Sequence, residues 1–259
     1  MTHSTMSATK KKVLQRAGAI LLALLLWQAL ASLKTVSILL ASPLEVLARL
    51  ATIWQESGFF ASVWFTFWRI AVGFLLAALA GILLAVLAGR FSFIETLLWP
   101  YMQAIKTVPV ASFVVLVLLF FPSSQLSVII SFLKVLPIVY TNTLTGIKNT
   151  DPALDEMAKV YELSFMRRLL YVKLPQLRPY MLSGVQVGLG LCFKSGVAAE
   201  LIGVPNGSIG EALYEAKIYL NSPDLFCWTL VVVLLSFAFE KAVTFAFTAF
   251  CKRWERVRV

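Results

Sequence analysis

The chain is poor in the residues that build polar catalytic and metal sites. Its only histidine is His3, in a polar N-terminal stretch, so a histidine-based metal site or catalytic triad is not available. Its three cysteines, Cys192, Cys227 and Cys251, lie in or beside apolar segments, and no two have the spacing of a metal or disulfide pair. We therefore expect no catalytic residue, no metal site and no cofactor.

Charged residues are also scarce, at 14% of the sequence against about 25% in soluble domains. Hydrophobic residues make up 59%, which indicates a protein that crosses a membrane several times. The net charge of +10 would suggest nucleic acid in a soluble protein. Here the basic residues gather in loops between apolar runs, without interleaved aromatics on a polar face. We expect a lipid membrane as the environment and no nucleic-acid partner.

Six apolar runs predict an all-α, polytopic helix bundle that forms one domain over residues 1–259, with an N-terminal tail at 1–12. Prolines predict a break in the third run at Pro100 and Pro109, and an interruption of the fourth at Pro137. The runs cover residues 18–33, 63–88, 93–121, 126–147, 180–202 and 225–250.

The distribution of lysine and arginine predicts the orientation. With the N-terminus inside, three basic residues, Lys34, Arg49 and Lys217, fall in outer loops. Fifteen fall in inner loops and tails: Lys10, Lys11, Lys12, Arg16, Arg90, Lys148, Lys159, Arg167, Arg168, Lys173, Arg178, Lys252, Arg253, Arg256 and Arg258. Because positive charge marks the cytoplasmic side, we expect both termini and the loop at 148–178 to be cytoplasmic.

Two outer segments carry helix-start patterns. Ser42-Pro43-Leu44-Glu45 places proline at the first helical position, and Ser208-Ile209-Gly210-Glu211 fits a capping box. The second run carries small residues at three- and four-residue spacing, which lets helix backbones approach closely. That stripe indicates either internal packing, which we favour slightly, or a subunit interface; it comprises Gly73, Ala77, Ala80, Gly81, Ala85, Ala88 and Gly89.

The largest polar island is the cytoplasmic loop. Asp151-Pro152 predicts a helix start, Ser164 a second one, and Leu174-Pro175 a stop before the fifth run. Apolar residues recur every three or four positions on one face: Leu154, Met157, Ala158, Tyr161 and Phe165. Two short amphipathic helices make a rigid element, and we expect it to contact a soluble partner.

At these residues the chain resembles the membrane subunits of binding-protein-dependent ATP-binding-cassette (ABC) importers. Their motif reads Glu-Ala-Ala, three residues, Gly, nine residues, Ile-x-Leu-Pro. This chain has Glu156-Met157-Ala158, then Glu162 at the glycine position, then Val172-Lys173-Leu174-Pro175. Glycine would tolerate a left-handed turn between the loop helices, whereas glutamate does so at a cost. The resemblance implies ATPase coupling by Asp155, Glu156, Met157, Ala158, Lys159, Tyr161, Glu162, Val172, Leu174 and Pro175.

The resemblance extends from about residue 40 to 241. Phe67-Trp68-Arg69-Ile70-Ala71-Val72-Gly73-Phe74, Lys106-Thr107-Val108-Pro109 and Val197-Ala198-Ala199-Glu200 are similar to the nitrate, sulfonate and taurine branch. It implies a type I importer-like transmembrane domain in a bacterial inner membrane. It also implies three partners: an ABC ATPase subunit, an extracytoplasmic solute-binding protein and a second permease copy. The chain has no Gly-x-x-x-x-Gly-Lys-Ser/Thr phosphate loop, so ATP hydrolysis is expected on the separate subunit.

Four ionisable residues fall inside the apolar runs: Lys106, Lys134, Lys194 and Glu200. A charge at the bilayer centre costs about 2.5–3.5 kcal/mol on insertion scales, so such residues face a cavity or a partner. One interpretation is a cationic lining of the translocation pathway for an anionic solute. The alternative is structural pairing or snorkelling of the lysines to an interface.

These observations leave several functions open. The first is the permease subunit of an ATP-driven importer for a small anionic solute such as nitrate, a sulfonate or taurine. The same architecture would serve a neutral or cationic solute, such as a thiamine precursor or riboflavin. A channel or secondary transporter would explain the intramembrane charges but not the loop motif. A membrane-embedded enzyme, such as a lipid-modifying transferase, would need clustered aspartate or histidine, which the runs lack.

Overall fold

The structure is a computed structural model that describes residues 8–33 and 40–256. Those residues form helices and connections, with no strand among them. A 3₁₀ turn at Ile53–Gln55, another at Ser123–Gln125 and a π-helical turn at Leu169–Lys173 lie between helices. The α-helices are α1 (Ala8–Ala31), α2 (Pro43–Thr52), α3 (Phe59–Arg90), α4 (Ser92–Thr107), α5 (Val110–Leu118), α6 (Leu126–Lys148), α7 (Pro152–Val160), α8 (Phe165–Arg168), α9 (Leu174–Gly203), α10 (Ile209–Ile218) and α11 (Ser222–Arg256).

Within residues 8–33 and 40–256, five helical stretches are long and apolar enough to cross a membrane. They are Leu14–Ala31, Phe59–Arg90, Ser123–Lys148, Phe165–Gly203 and Ser222–Ala249. Helices α4 and α5 provide a sixth only as a pair, because a bend of 104° separates them. The expected all-α membrane bundle of about six spans is confirmed, with the third span broken.

Two of the three expected proline breaks are wrong. α4 continues through Pro100 and α6 continues through Pro137, and only Pro109 separates two helices. A proline inside a helix removes one backbone hydrogen bond, and neighbouring helices and hydroxyl side chains make this tolerable in a membrane span. In α6 the carbonyl that loses its helical donor is that of Leu133, while the hydroxyl of Thr141 donates to the carbonyl oxygen of Pro137 itself at 2.6 Å.

The expected helix stop at Leu174-Pro175 is also wrong. α8, the π-helical turn and α9 follow one another without a gap from Phe165 to Gly203. The N–H of Leu174 bonds to the carbonyl of Leu169, five residues earlier, so the backbone widens by one residue just before the proline. The wider turn accommodates a residue that has no N–H, and the fifth span therefore extends into the loop.

The described residues form two compact units. The smaller contains residues up to Phe59 together with Ala212–Leu230. In it, the indole N–H of Trp27 donates to the carbonyl of Ala41 at 3.0 Å, and the Trp27 ring lies 5.6 Å from that of Phe226. Residues 8–12 of the expected tail belong to α1, and residues 1–7 lie outside the described residues. The single domain over 1–259 stays a prediction.

The larger unit contains Phe60–Glu211 and the chain from Val231 onward, and α6 packs against α3 and α9 inside it. A Cβ added to Gly73 would lie 2.5 Å from the carbonyl oxygen of Val128, and one added to Gly81 would lie 3.1 Å from that of Leu136. The small-residue stripe of α3 thus serves internal packing, the interpretation we favoured. The ring of Phe239 meets those of Phe67, Phe74 and Phe193 edge-on at 5.4–5.8 Å.

The helix starts predicted at Ser42 and Ser208 are both confirmed, and their position on the outer side stays a prediction. Ser42 forms a complete capping box with Glu45 at the start of α2. At α10, the hydroxyl of Ser208 accepts from the N–H of Glu211 at 2.9 Å, while the Glu211 carboxylate accepts from the N–H of Gly207 at 2.5 Å. The backbone at both places therefore follows the local pattern of the sequence.

Candidate functional site

The loop between α6 and α9 begins with a capped helix. The carboxylate of Asp151 accepts a hydrogen bond from the N–H of Ala153 at 2.9 Å, and Pro152 is the first helical residue of α7. The N–H of Asp151 donates to the side-chain oxygen of Gln176 at 2.7 Å. Because Gln176 lies in α9, this bond joins the two ends of the loop and limits its motion.

The end of α7 is a left-handed turn at Glu162, whose φ is +49°. The N–H of Glu162 bonds to the carbonyl of Lys159, and the N–H of Leu163 bonds to that of Ala158, both at 3.0 Å. These two bonds are the Schellman pattern, which normally has glycine at the left-handed position. The structure thus places glutamate where the importer motif has glycine, in the conformation that glycine would favour.

An ion pair joins the two loop helices. Arg168 of α8 donates from Nε to Oδ1 of Asp155 at 3.0 Å and from Nη2 to Oδ2 at 2.6 Å, and Nζ of Lys173 lies 4.0 Å from Oδ2. The fork geometry fixes orientation as well as distance. The hydrogen bond from Arg168, with the nearby cationic charges, lowers the pKa of Asp155 below its ordinary value. Nothing in the sequence spacing had singled out Arg168 as a site residue.

The residues of the importer motif divide between the inside and the outside of the loop. Ala158 and Val172 are buried, Asp155 and Leu174 are half-buried, and the remaining six are exposed: Glu156, Met157, Lys159, Tyr161, Glu162 and Pro175. The expected apolar face is mostly open as well, with Tyr161 exposed to 73% and Phe165 to 80%. Val160, which the sequence interpretation omitted, is 81% exposed. The loop therefore combines a fixed backbone with an uncovered apolar surface.

The break between α4 and α5 is closed by Lys134 of α6. Its Nζ donates to the carbonyl oxygen of Val108 at 2.6 Å and to that of Ile105 at 3.3 Å. Since Pro109 has no N–H, the carbonyl of Ile105 has no helical donor four residues on, and the lysine supplies one. The ammonium also lies 5.0 Å from the ring centre of Phe113. Lys134 is buried and stabilises the bend.

Lys106, near the end of α4, is exposed and lies at a cavity of about 230 Å³ between α4 and α6. Its Nζ donates to the hydroxyl of Thr141 at 2.8 Å. At another part of the cavity wall, Nζ of Lys148 lies 2.5 Å from Oε1 of Glu95. Of the four intramembrane charges named from the sequence, Lys106 is the one that lines this cavity.

Glu200 is fully buried in a network of hydrogen bonds. Its carboxylate accepts from the hydroxyl of Thr66 at 2.7 Å, from the hydroxyl of Ser127, and from the N–H of Gly210 at 3.4 Å. The N–H of Ile209 in turn donates to the hydroxyl of Thr66 at 3.0 Å. The network joins α3, α6, α9 and the first turn of α10, so the carboxylate holds four helices together.

Lys194 lies on α9 with Glu200, and the structure separates the two. Lys194 is exposed, whereas Glu200 is buried, as their six-residue spacing on one helix predicts. The structure thus brings none of Lys106, Lys134 and Lys194 to the carboxylate of Glu200 in a described ion pair. Their predicted role as pathway residues stays a prediction.

A further ion pair lies in the smaller unit. The guanidinium of Arg49 on α2 pairs with the carboxylates of Asp224 and Glu56, and the side-chain nitrogen of Asn221 donates to Asp224 at 2.6 Å. Asp224 lies 175 positions from Arg49, so no sequence pattern could have joined them. The pair fixes α2 to the start of α11.

Among the residues that the structure describes, no group of three or more histidine, cysteine, aspartate or glutamate side chains is placed to hold a metal ion.

The sequence of this chain is similar to those of known membrane transport proteins. The family model described as "binding-protein-dependent transport system inner membrane component" matches residues 77–256. The putative aliphatic sulfonates transport permease protein SsuC of Bacillus subtilis (strain 168) is 28% identical over 212 residues, which cover 81% of this chain and 76% of that protein. The nitrate import permease protein NrtB of Leptolyngbya laminosa is 30% identical over 165 residues, covering 63% of this chain and 58% of that protein.

A solved structure supports the same fold. The crystal structure of an amino acid ABC transporter with histidines matches with a TM-score of 0.57 and 18% sequence identity. The match covers 79% of this chain and 97% of that one. At this identity the likeness concerns the fold alone, and it agrees with the bundle described above.

Proposed function

Because the chain belongs to the family of binding-protein-dependent inner-membrane transport components, we propose that it forms the translocation pathway of an ATP-driven importer for a small anionic solute, such as nitrate, a sulfonate or taurine. The membrane would be a bacterial inner membrane, with both termini in the cytoplasm, as the basic residues predict. Two copies of the chain would enclose the pathway. A solute-binding protein would deliver the solute at the outer face, to which the predicted orientation would assign α2 and α10.

The observation that carries the proposal is the uncovered apolar surface of the loop between α6 and α9. A loop that moved freely could not transmit force, and this one is fixed by the Asp155–Arg168 pair and by the bond from Asp151 to Gln176. Exposed Val160, Tyr161 and Phe165 are costly in water and suit burial against a protein. We assign this surface to the ATPase subunit, because the 259 residues contain no phosphate loop of their own.

The anionic character of the solute rests on two supports. The relatives named above import nitrate or are assigned to aliphatic sulfonates, and both are anions. Within this chain, the ammonium of Lys106 lines a cavity and has no carboxylate in ion-pair contact among the described residues. A positive charge in a membrane-spanning bundle favours an anion over a cation of the same size.

Exchange of one apolar side chain for a charged one tests the docking surface. Val160→Asp places a carboxylate at a contact that we expect to be buried, so the ATPase should no longer co-purify with the chain. Val160→Ala is the matched control and should retain most of the ATPase, because it removes only apolar area. Both variants should reach the membrane in wild-type amounts, since Val160 makes little contact within the loop. Retention of the ATPase by the aspartate variant would refute docking at this surface.

A further inference from the structure

The cavity between α4 and α6 carries more chemistry than a packing gap would need. Its volume is about 230 Å³, roughly seven or eight water molecules at about 30 Å³ each. Its wall includes an ammonium, an amide, hydroxyls and apolar side chains. The residues that matter here are Trp99, Gln103, Lys106, Tyr140, Thr141 and Leu144.

The charge in this wall is unbalanced by one positive unit. Glu95 and Lys148 neutralise each other at 2.5 Å. Lys106 makes one described hydrogen bond, to the hydroxyl of Thr141, and that hydroxyl donates its own proton to the carbonyl of Pro137. Thr141 is therefore oriented as an acceptor for the ammonium and holds it in place. Two protons of the ammonium are left for other acceptors.

A second polar group of the wall is unused. Tyr140 is 4% exposed, and its hydroxyl is buried without a hydrogen-bond partner among the described residues. A buried donor without a partner destabilises the folded state, so such a group needs an explanation. That hydroxyl has no accessible surface, so of the two groups the Lys106 ammonium is the one open to an anion in the cavity.

The rest of the wall contains three apolar or aromatic side chains besides the polar Gln103 and Thr145. Trp99, Met102 and Leu144 line the cavity beside the polar side chains. A bound inorganic oxyanion would leave these apolar side chains exposed to water, whereas the apolar part of an organic anion would cover them. The size and lining therefore fit a short organic molecule with one anionic group.

We propose that the cavity between α4 and α6 binds a small organic monoanion, with its anionic group at Lys106 and its apolar part against Trp99 and Leu144. This inference rests on the proposed function and deepens it, because it gives the solute a binding site within the membrane subunit. In the predicted orientation, Glu95 and Lys148 lie at the cytoplasmic ends of α4 and α6. The site is thus on the release side of the bundle.

Thiol accessibility tests the site without knowledge of the natural solute. The complex of this chain with its ATPase and binding protein is placed in nanodiscs, with Cys192, Cys227 and Cys251 exchanged for alanine. Gln103→Cys then reports on the cavity, and Gln55→Cys, an exposed position outside its wall, is the control. Each thiol is treated with anionic sulfonatoethyl methanethiosulfonate or its cationic trimethylammonium analogue. Ethanesulfonate and ethylammonium serve as protecting ligands.

The inferred site predicts charge selectivity at position 103 only. The ratio of the anionic to the cationic reaction rate should be about tenfold higher at position 103 than at the control thiol, because the nearby ammonium of Lys106 attracts the anionic reagent. Ethanesulfonate should slow the reaction and ethylammonium should not. Lys106→Met should abolish both effects, whereas Lys106→Arg, which keeps the charge, should preserve them. Lys194→Met, which removes a lysine from outside the cavity, should change neither.

Two results separate the failure of this inference from the failure of the proposed function. ATP-driven uptake of the binding protein's ligand is measured on the same complex in proteoliposomes. In one outcome the complex takes up the ligand while the thiol at position 103 shows no anion selectivity and no protection, or is protected equally by ethylammonium. Either result overturns the binding site but leaves the importer function intact. Absence of ATP-driven uptake overturns the proposed function, and with it the role of the cavity.

Discussion

The ammonium of Lys134 donates a 2.6 Å hydrogen bond to the carbonyl oxygen of Val108, at the point where α4 ends. Twenty-six positions separate the two residues, so the contact is made by the packing of α6 against the break. A helix that ends inside a membrane leaves carbonyl groups without donors, and a cation is the most effective donor for them. The lysine thus stabilises a bend that a pathway can use.

Removal of this lysine should destabilise the bundle. Lys134→Met keeps the length of the side chain but leaves the carbonyls of Val108 and Ile105 without their donor. We expect a loss of about 1–3 kcal/mol in the free energy of unfolding, the cost of buried unpaired polar groups. The measurement is the midpoint of thermal unfolding in nanodiscs. Lys194→Met, at an exposed lysine, is the control, and an equal shift in both variants would contradict the capping role.

Glu162→Gly should stabilise the loop. The left-handed conformation costs a residue with a side chain about 1–2 kcal/mol, and glycine avoids this cost. Glycine also has more conformational entropy in the unfolded chain, which lowers the stability of the folded state by about 0.5–1 kcal/mol. We expect a net gain of about 0.5–1 kcal/mol. Slower amide hydrogen exchange at Leu163, whose N–H closes the turn, would report it. Glu156→Gly, inside α7, should speed exchange across the helix, and the same sign for both variants would contradict the argument.

The link between the loop helices should depend on pH. The folded pKa of Asp155 is lowered by the hydrogen bond from Arg168, so its stabilising effect is full above the ordinary aspartate value of about 3.9. That effect is lost as the pH falls through the lower folded value. Cleavage by pepsin between residues 161 and 164 should therefore accelerate at the acidic end of its range, after correction with a control peptide. For Asp155→Asn, the corrected cleavage rate should not change with pH. A wild-type chain whose corrected rate is also independent of pH would contradict the link between Asp155 and Arg168.

The orientation can be tested on intact cells. In a chain without its native cysteines, Lys159→Cys should be shielded from an impermeant reagent added outside, because the loop is predicted to be cytoplasmic. Asn206→Cys, in the connection before α10, should react. Permeabilised cells supply the control, since both thiols should then react. Labelling of the first thiol but not the second in intact cells would reverse the predicted topology.

Local features of the fold could be predicted from the sequence. The starts of α2, α7 and α10 follow from Ser42-Pro43, Asp151-Pro152 and Ser208, because a cap satisfies its own helix within a few residues. Ser164 stands before α8 as expected, although its side chain makes no capping bond. The apolar runs gave the number of spans for a similar reason, since length and hydropathy are local properties.

Contacts between distant residues could not be predicted. Thr66, Ser127 and Gly210 surround Glu200 from three other helices, and no spacing rule connects them. The effect of each proline depends on its neighbours, so the predicted breaks were partly wrong. α6 continues through Pro137, whereas the chain bends at Pro109. The position of Lys106 at a cavity likewise emerges only when α4 and α6 are packed together.

As a permease subunit, this chain should move a solute only when a separate ATPase drives it. The direct measurement is uptake of the binding protein's ligand into proteoliposomes that contain the chain, with and without the ATPase subunit. We predict ATP-dependent uptake with the complete set and neither uptake nor ATP hydrolysis by the chain alone. Concentrative uptake by the chain alone, or a complete set that hydrolyses ATP without moving the ligand, would contradict the account.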